Sequence, residues 1–223
     1  MPDEEGHAAH LRGWKVTGPG PKKSSEDRID AVLQFWFGGV IDKETIGERV
    51  RIWFRGGEEF DQSIRAQFGK EVEHAAAGEF DHWKETPSGR MALITLLDQF
   101  SRNIYRNTPR AFANDPKAQE LCLEGLRAGV DRTLGPFQRS FFYLPLEHSE
   151  DVNLQDLSVQ CFQALLDEAG ADWEETFRSF WDYAVRHRNV VRRFGRFPHR
   201  NEILGQASTA EEIEFLRGPG APF

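Results

Sequence analysis

From residue 29 onward, apolar side chains recur three and four positions apart, the spacing that gathers them on one face of a helix. Residues 29–37 predict a short apolar helix stopped by Gly38-Gly39, and helices follow over 44–54 and 58–77. The last of these carries Phe60, Ile64, Phe68 and Val72 on one stripe and ends at Gly78. Ser88 is the expected cap of a helix over 89–103, whose stretch 91–97 is apolar on every side and so belongs at the centre of the molecule. Asp115-Pro116 opens a helix to 128, with proline in the tolerated first turn. A further apolar run covers 136–147. Ser149, followed by two acids that suit the positive end of a helix dipole, begins a helix to 169, and the last long helix spans 173–194 before Gly195. No alternating β-branched stretch lies between turn signals, so the reading is all-α, with antiparallel helical hairpins stacked as a bundle or short superhelix. Residues 1–25, rich in Gly, Pro, Lys and Ser, read as a flexible extension ahead of a single domain over 26–223.

Three stretches break the apolar pattern with dense polar chemistry: residues 96–103, 143–151 and 194–201. In the first, Asp98 and Arg102 stand four apart on the apolar helix, where lone charges are costly, and are expected to pair. The second holds Glu147, His148, Glu150 and Asp151; the third holds Arg196, His199, Arg200 and Asn201 just past a helix stop. On the last helix Trp173, Phe177, Phe180, Ala184, His187, Val191 and Phe194 advance by fours and threes, so His187 is a buried imidazole. All three stretches are expected to converge on one polar site.

With 39% hydrophobic residues the chain can fill a sizeable core, and its net charge of −8 opposes broad nucleic-acid binding. Of the 28 basic residues, 21 are Arg and 7 are Lys, a bias toward planar recognition of carboxylates and phosphates. Residues 147–175 carry nine acids and no Lys or Arg, whereas 178–200 carry seven Arg and one acid. Two such helices side by side would neutralise each other, which is the expected role of Arg178, Arg186, Arg188 and Arg193. Cys122 and Cys161 lack metal-ligand spacing and read as free thiols of a reducing compartment, hence a cytoplasmic protein. The apolar run 91–97 is too short for a membrane span. No phosphate loop, nucleophile elbow, dinucleotide fingerprint or repeated metal-ligand pattern occurs, so no cofactor, metal, nucleic-acid or membrane partner is expected.

The succession VLQFWFG (32–38), LLDQFSRNIYRN (96–107), AFANDPKA (111–118), FFYLPLEHSEDVNLQ (141–155), FGRFPHRN (194–201) and ILGQASTAEEIEFL (203–216) resembles a bacterial family known only as domain of unknown function 924. The resemblance covers about 29–217 and implies one all-helical domain with a tetratricopeptide-repeat-like fold; it implies no activity. Gln206 stands where the resemblance leads one to expect Arg. Two functions fit the residues, the first being the expected one and the second its alternative. One is a binding module in which Arg102, Asn103, Arg196, His199, Arg200 and Asn201 hold an anionic small molecule or acidic peptide. The other is an enzyme of hydrolase or transferase type, with His148 or His187 as general base, Glu147 or Asp98 orienting it, and arginines stabilising negative charge.

Overall fold

The computed structural model describes residues 24–39 and 41–218, so nearly all of the expected N-terminal extension lies outside the described residues. Helix α1 (Ser25–Phe37) begins four residues before the apolar pattern does, because its start is fixed by polar groups. The Ser24 hydroxyl accepts from Asp27 N while the Asp27 carboxylate accepts from Ser24 N, a reciprocal cap that periodicity cannot register. Helices α2 (Ile46–Arg55) and α3 (Glu58–Ala76) follow. Next comes α4 (Pro87–Ile94), capped by Thr86 and not by Ser88: Pro87 takes the first helical position, where no N–H is needed, and Thr86 Oγ1 accepts from Gly89 N at 3.1 Å. Gly89 has a packing reason inside this helix, since a Cβ there would lie 2.2 Å from the Trp83 carbonyl oxygen.

The central helix is not uniform. Residues Thr95–Phe100 form a π turn in which Ser101 N reaches back five residues to Leu96 O, and Ser101 Oγ donates to the same carbonyl at 3.2 Å. Helix α5 (Ser101–Ile104) completes the rod. Around it stand α6 (Asp115–Arg127), α7 (Pro136–Glu147), α8 (Val152–Glu168) and α9 (Glu174–Phe194). After a 3-10 turn over Pro198–Arg200, α10 (Ala210–Arg217) ends the described chain. Among the described residues there is no strand.

Helices α7, α8 and α9 run alternately up and down. Arg139 near the start of α7 meets Glu168 at the end of α8, and Asp156 near the start of α8 meets Arg192 near the end of α9. The cap of α8 is Asp151, whose Oδ1 accepts from Asn153 N at 2.7 Å; Ser149, the expected cap, instead accepts from Asp151 N in the preceding turn. Charge pairing across α8 and α9 is partly as expected, through Arg188 and Arg192 on Asp156. Arg178 instead pairs with Glu174 on its own helix, Arg193 with Glu211 of α10, and Arg186 stacks over Tyr183.

The core is aromatic. Trp36 meets Phe100 and Phe141 edge-on at 5.5 Å each, and Trp53 meets Phe141 at 4.7 Å. Each such pair adds about 0.5–1.5 kcal/mol beyond the apolar area it buries. Met91, Leu93, Ile94, Leu96 and Leu97 are fully buried, and Asp98 is buried with them.

Candidate functional site

A carboxylate in an aromatic core must be paired, and Asp98 is paired on two sides. Its Oδ1 lies 3.0 Å from Arg102 Nη1 and 2.7 Å from His148 Nδ1, while Gln99 Nε2 donates to Oδ2 at 2.5 Å. Burial pushes its pKa up, but Arg102 and then His148 outweigh that and hold the carboxyl below its ordinary range. Arg102 is itself fixed by a second acid, giving Nη1 and Nη2 to the two oxygens of Asp115 at 2.8 and 3.0 Å. Burial disfavours its charge, and Asp98 and Asp115 more than restore it, so its pKa rises.

His148 ends α7, and its backbone is held by an unusual tie. Gln155, fully buried in α8, donates from one Nε2 to the carbonyls of Glu147 and Ser149, each at 2.6 Å. Because an ionised carboxylate only accepts, His148 Nδ1 carries the proton toward Asp98 and Nε2 is the accepting nitrogen of the neutral ring. Burial, and next Arg102, lower the His148 pKa, with Asp98 opposing them.

His187 lies beside it, the two rings 6.5 Å apart. Its Nδ1 is 2.9 Å from the Tyr183 carbonyl oxygen and 3.3 Å from Glu147 Oε1, so a second carboxyl and imidazole stand next to the first. Burial drives the His187 pKa down to about 3. Burial, reinforced by the charge of Asp98, raises that of Glu147 to about 8, so this carboxyl is protonated at neutral pH.

The stretch after α9 supplies the remaining wall. Gly195, at φ 71°, takes the left-handed conformation that ends the helix at little cost, and Phe197 N then donates to Glu150 Oε1 at 2.9 Å. Arg200 donates from Nη2 to the His148 carbonyl at 3.0 Å, and its guanidinium lies 4.6 Å from the Phe112 ring centre and 4.5 Å from that of Phe197. Burial, then Arg102, lowers its pKa to about 10; burial, then Arg200, lowers that of His199 to about 4.

Asp98, Arg102, Glu147, His148, His187, His199 and Arg200 therefore lie together in the structure. The other three do not join them. Arg196 turns to Glu212 of α10, donating from Nε and Nη2 at 2.7 and 2.8 Å, and also to Gln206 and the Ala207 carbonyl. Asn201 bonds Ser208 and the same Glu212, and Asn103 bonds Asp61 of α3 at 2.7 Å. Position 206 thus holds an acceptor for Arg196. Sequence reasoning missed Asp115, Gln155 and Phe112; Asp115 carried a signal, as an acid inside a conspicuous motif, but was read only as a helix start.

A profile of bacterial proteins of unknown function, DUF924, matches residues 32–220. The chain belongs to the DUF924 family. A solved structure of a protein of unknown function, ATU0120 from Agrobacterium tumefaciens, is similar to this DUF924 chain at 34% identity with a TM-score of 0.74, covering 87% of this chain and 99% of that one. No curated protein matches.

Among the described residues no group of three or more His, Cys, Asp and Glu side chains is arranged to hold a metal ion. No described helix is long and apolar enough to cross a membrane. Two surface grooves, of about 720 and 350 Å³, lie between α1 and the start of α7 and beside α3 and α5; neither is lined by any member of the cluster. The cluster's chemistry decides its candidacy, and groove size does not.

Proposed function

We propose that this cluster is an acid–base catalytic site of hydrolase or transferase type, with His148 as general base and Asp98 as the carboxylate that orients it. The supporting observation is the 2.7 Å contact between Asp98 and His148 Nδ1, which fixes one tautomer and makes Nε2 the accepting nitrogen. Arg102 keeps Asp98 ionised, and Arg200 stands by to stabilise negative charge that develops on the substrate. Glu147 and His187 form a second acid and imidazole on the same wall. The protein would work in the reducing cytoplasm, where Cys122 and Cys161 stay as thiols.

The alternative is a passive binding module for an anionic small molecule or acidic peptide on a tetratricopeptide-like scaffold. It requires several uncommitted donors. Of the six side chains expected to supply them, Arg102, Asn103, Arg196 and Asn201 are bonded to acids of the protein itself. This favours the catalytic reading.

The test is a screen of ester, amide and phosphoester substrates against wild type, His148→Gln and Asp98→Asn. Turnover found in the wild type is expected to fall by about 10²–10⁴ in His148→Gln with the circular-dichroism spectrum retained. Undiminished turnover in that variant would remove His148 from the chemistry.

A further inference from the structure

Four ionised side chains form the centre of the cluster, two of each sign: Asp98 and Asp115 against Arg102 and Arg200. Their charges cancel. Arg102 is engaged on both terminal nitrogens, with Nη1 and Nη2 on Asp115 and Nη1 also on Asp98. Arg200 is not. Its side chain is only 9% exposed, yet it makes a single hydrogen bond, to the His148 carbonyl. Nη1 lies 3.6 Å from Asp115 Oδ2, a contact of charges and not a hydrogen bond, and the buried Nε has no hydrogen-bond partner. A guanidinium offers five N–H donors in one plane. With Phe112 and Phe197 against it, the direction left for a ligand is the in-plane edge, which matches the two oxygens of an oxyanion. Solvent reaches this region beside Arg102 and His148, whose side chains are 19% and 15% exposed.

We propose that the substrate carries an oxyanion, a carboxylate or a phosphate, which is held at the in-plane edge of Arg200, and that its binding takes up a proton on the neighbouring imidazoles. This rests on the cluster being the reaction site and adds the class of molecule it receives. The proton follows from charge balance. A negative charge added to a neutral, largely buried cluster would stand uncompensated, which is costly in a low-dielectric environment. His187 and His199 adjoin the site as neutral rings, and protonating one of them restores neutrality while His148 keeps Nε2 as an acceptor. The groups facing these rings are Asp98, Asp115 and Glu147 on the acidic side and Arg102 and Arg200 on the basic side, with Glu150 beside Arg200 and Arg186 beside Glu147. With Glu147 protonated, none of them supplies the missing positive charge.

Titration calorimetry of the full chain with acetate and with inorganic phosphate, at pH 7 in two buffers of different ionisation enthalpy, tests this directly. Acetate is fully ionised there and reports the proton count; tighter binding of phosphate or of acetate tells which oxyanion the site prefers. Saturable binding with uptake of about one proton is expected, since one added charge needs one compensating proton. Arg200→Gln should weaken it about ten- to a hundredfold, whereas Arg178→Gln, on the exposed face of α9, should bind as wild type does. Arg200→Lys keeps the charge without the planar edge and should also bind more weakly, which covers the case in which the glutamine variant misfolds. No saturable binding of either ion, no proton uptake, or wild-type affinity in Arg200→Lys would each overturn the proposal. Because turnover is not measured, the outcome separates from the catalytic reading: loss of turnover in His148→Gln without oxyanion binding leaves the base and removes the oxyanion, and the converse pattern does the reverse.

Discussion

Arg196 and Arg200 stand four residues apart around one proline, and their surroundings could hardly differ more. Arg196 joins α10 to the end of α9 through a two-point bond to Glu212, with Gln206 and the Ala207 carbonyl using further donors. Its hydrogen bonds to Glu212 hold that acid down at about 2, so both partners are charged and mutually neutralised. Arg200 sits in a cluster of shifted acids and bases, with unused donors and a lowered pKa. The first is a clamp in which opposite charges answer each other directly. The second belongs to a group of side chains displaced from their ordinary protonation by burial, and such displacement is where acid–base chemistry at neutral pH becomes available.

The comparison breaks most sharply at Asp98. Asp98→Ala leaves Arg102 and His148 without their shared partner and should destabilise the fold by about 3–5 kcal/mol in denaturant titration. A smaller loss than that of Glu212→Ala would place the structural weight in the clamp and not in the cluster.

Glu147 sharpens the same contrast through pH. Its folded pKa of about 8 lies above the ordinary glutamate value, so its contribution to stability is complete below about pH 4.5 and is lost as pH rises through about 8. Glu147→Gln, which cannot titrate, should remove that decline, on the order of 2–4 kcal/mol between pH 4.5 and 8 by thermal or urea unfolding. His187 and His199 have the opposite sign. Their pKa values of about 3 and 4 mean stability complete above about pH 6.5 and lost as pH falls toward 4, so the glutamine variant should show their acid limb alone.

At the clamp, Arg196→Ala should lower stability less than Asp98→Ala does in denaturant titration, and amide exchange should quicken over residues 195–217 before anywhere else. Uniform acceleration over α7 and α8 would show that clamp and cluster open together. The smallest effect belongs to the exposed pair of Arg178 and Glu174, where Arg178→Ala should change stability by about 0.5 kcal/mol or less.

Much of this molecule could be read from residue spacing. The stripe on α9 placed His187 in the core, Gly195 marked the end of that helix, and the four-residue interval of Asp98 and Arg102 predicted their contact. These succeed because burial and helix geometry act over a few residues. The failures depend on groups distant in sequence. Spacing treats Arg196 and Arg200 alike, since nothing within the motif reveals that Glu212 lies beside one and His148 beside the other. The roles of Asp115 and Gln155 stay hidden for the same reason, their partners being 13 residues and 8 residues away, even though Asp115 stands in a conspicuous motif. The caps at Thr86 and Asp151 were misplaced by two residues each because competing hydroxyls and acids stand nearby and only backbone geometry chooses among them.

The π turn over Thr95–Phe100 contains Asp98, and Arg102 lies just beyond it. An α-helix advances about 100° per residue, so a turn holding one extra residue works as a phase shift between the helix on its N-terminal side and the helix on its C-terminal side. Winding this turn as ordinary α-helix without changing its length would restore i to i+4 hydrogen bonds and improve the local backbone. It would also rotate Ser101, Arg102 and Asn103 by about 100° relative to Met91 and Leu93, carrying the guanidinium away from Asp115 and the amide away from Asp61. The least regular turn of the central helix is thus its timing element: a regular helix of the same length would be a sound rod with its two ends out of step.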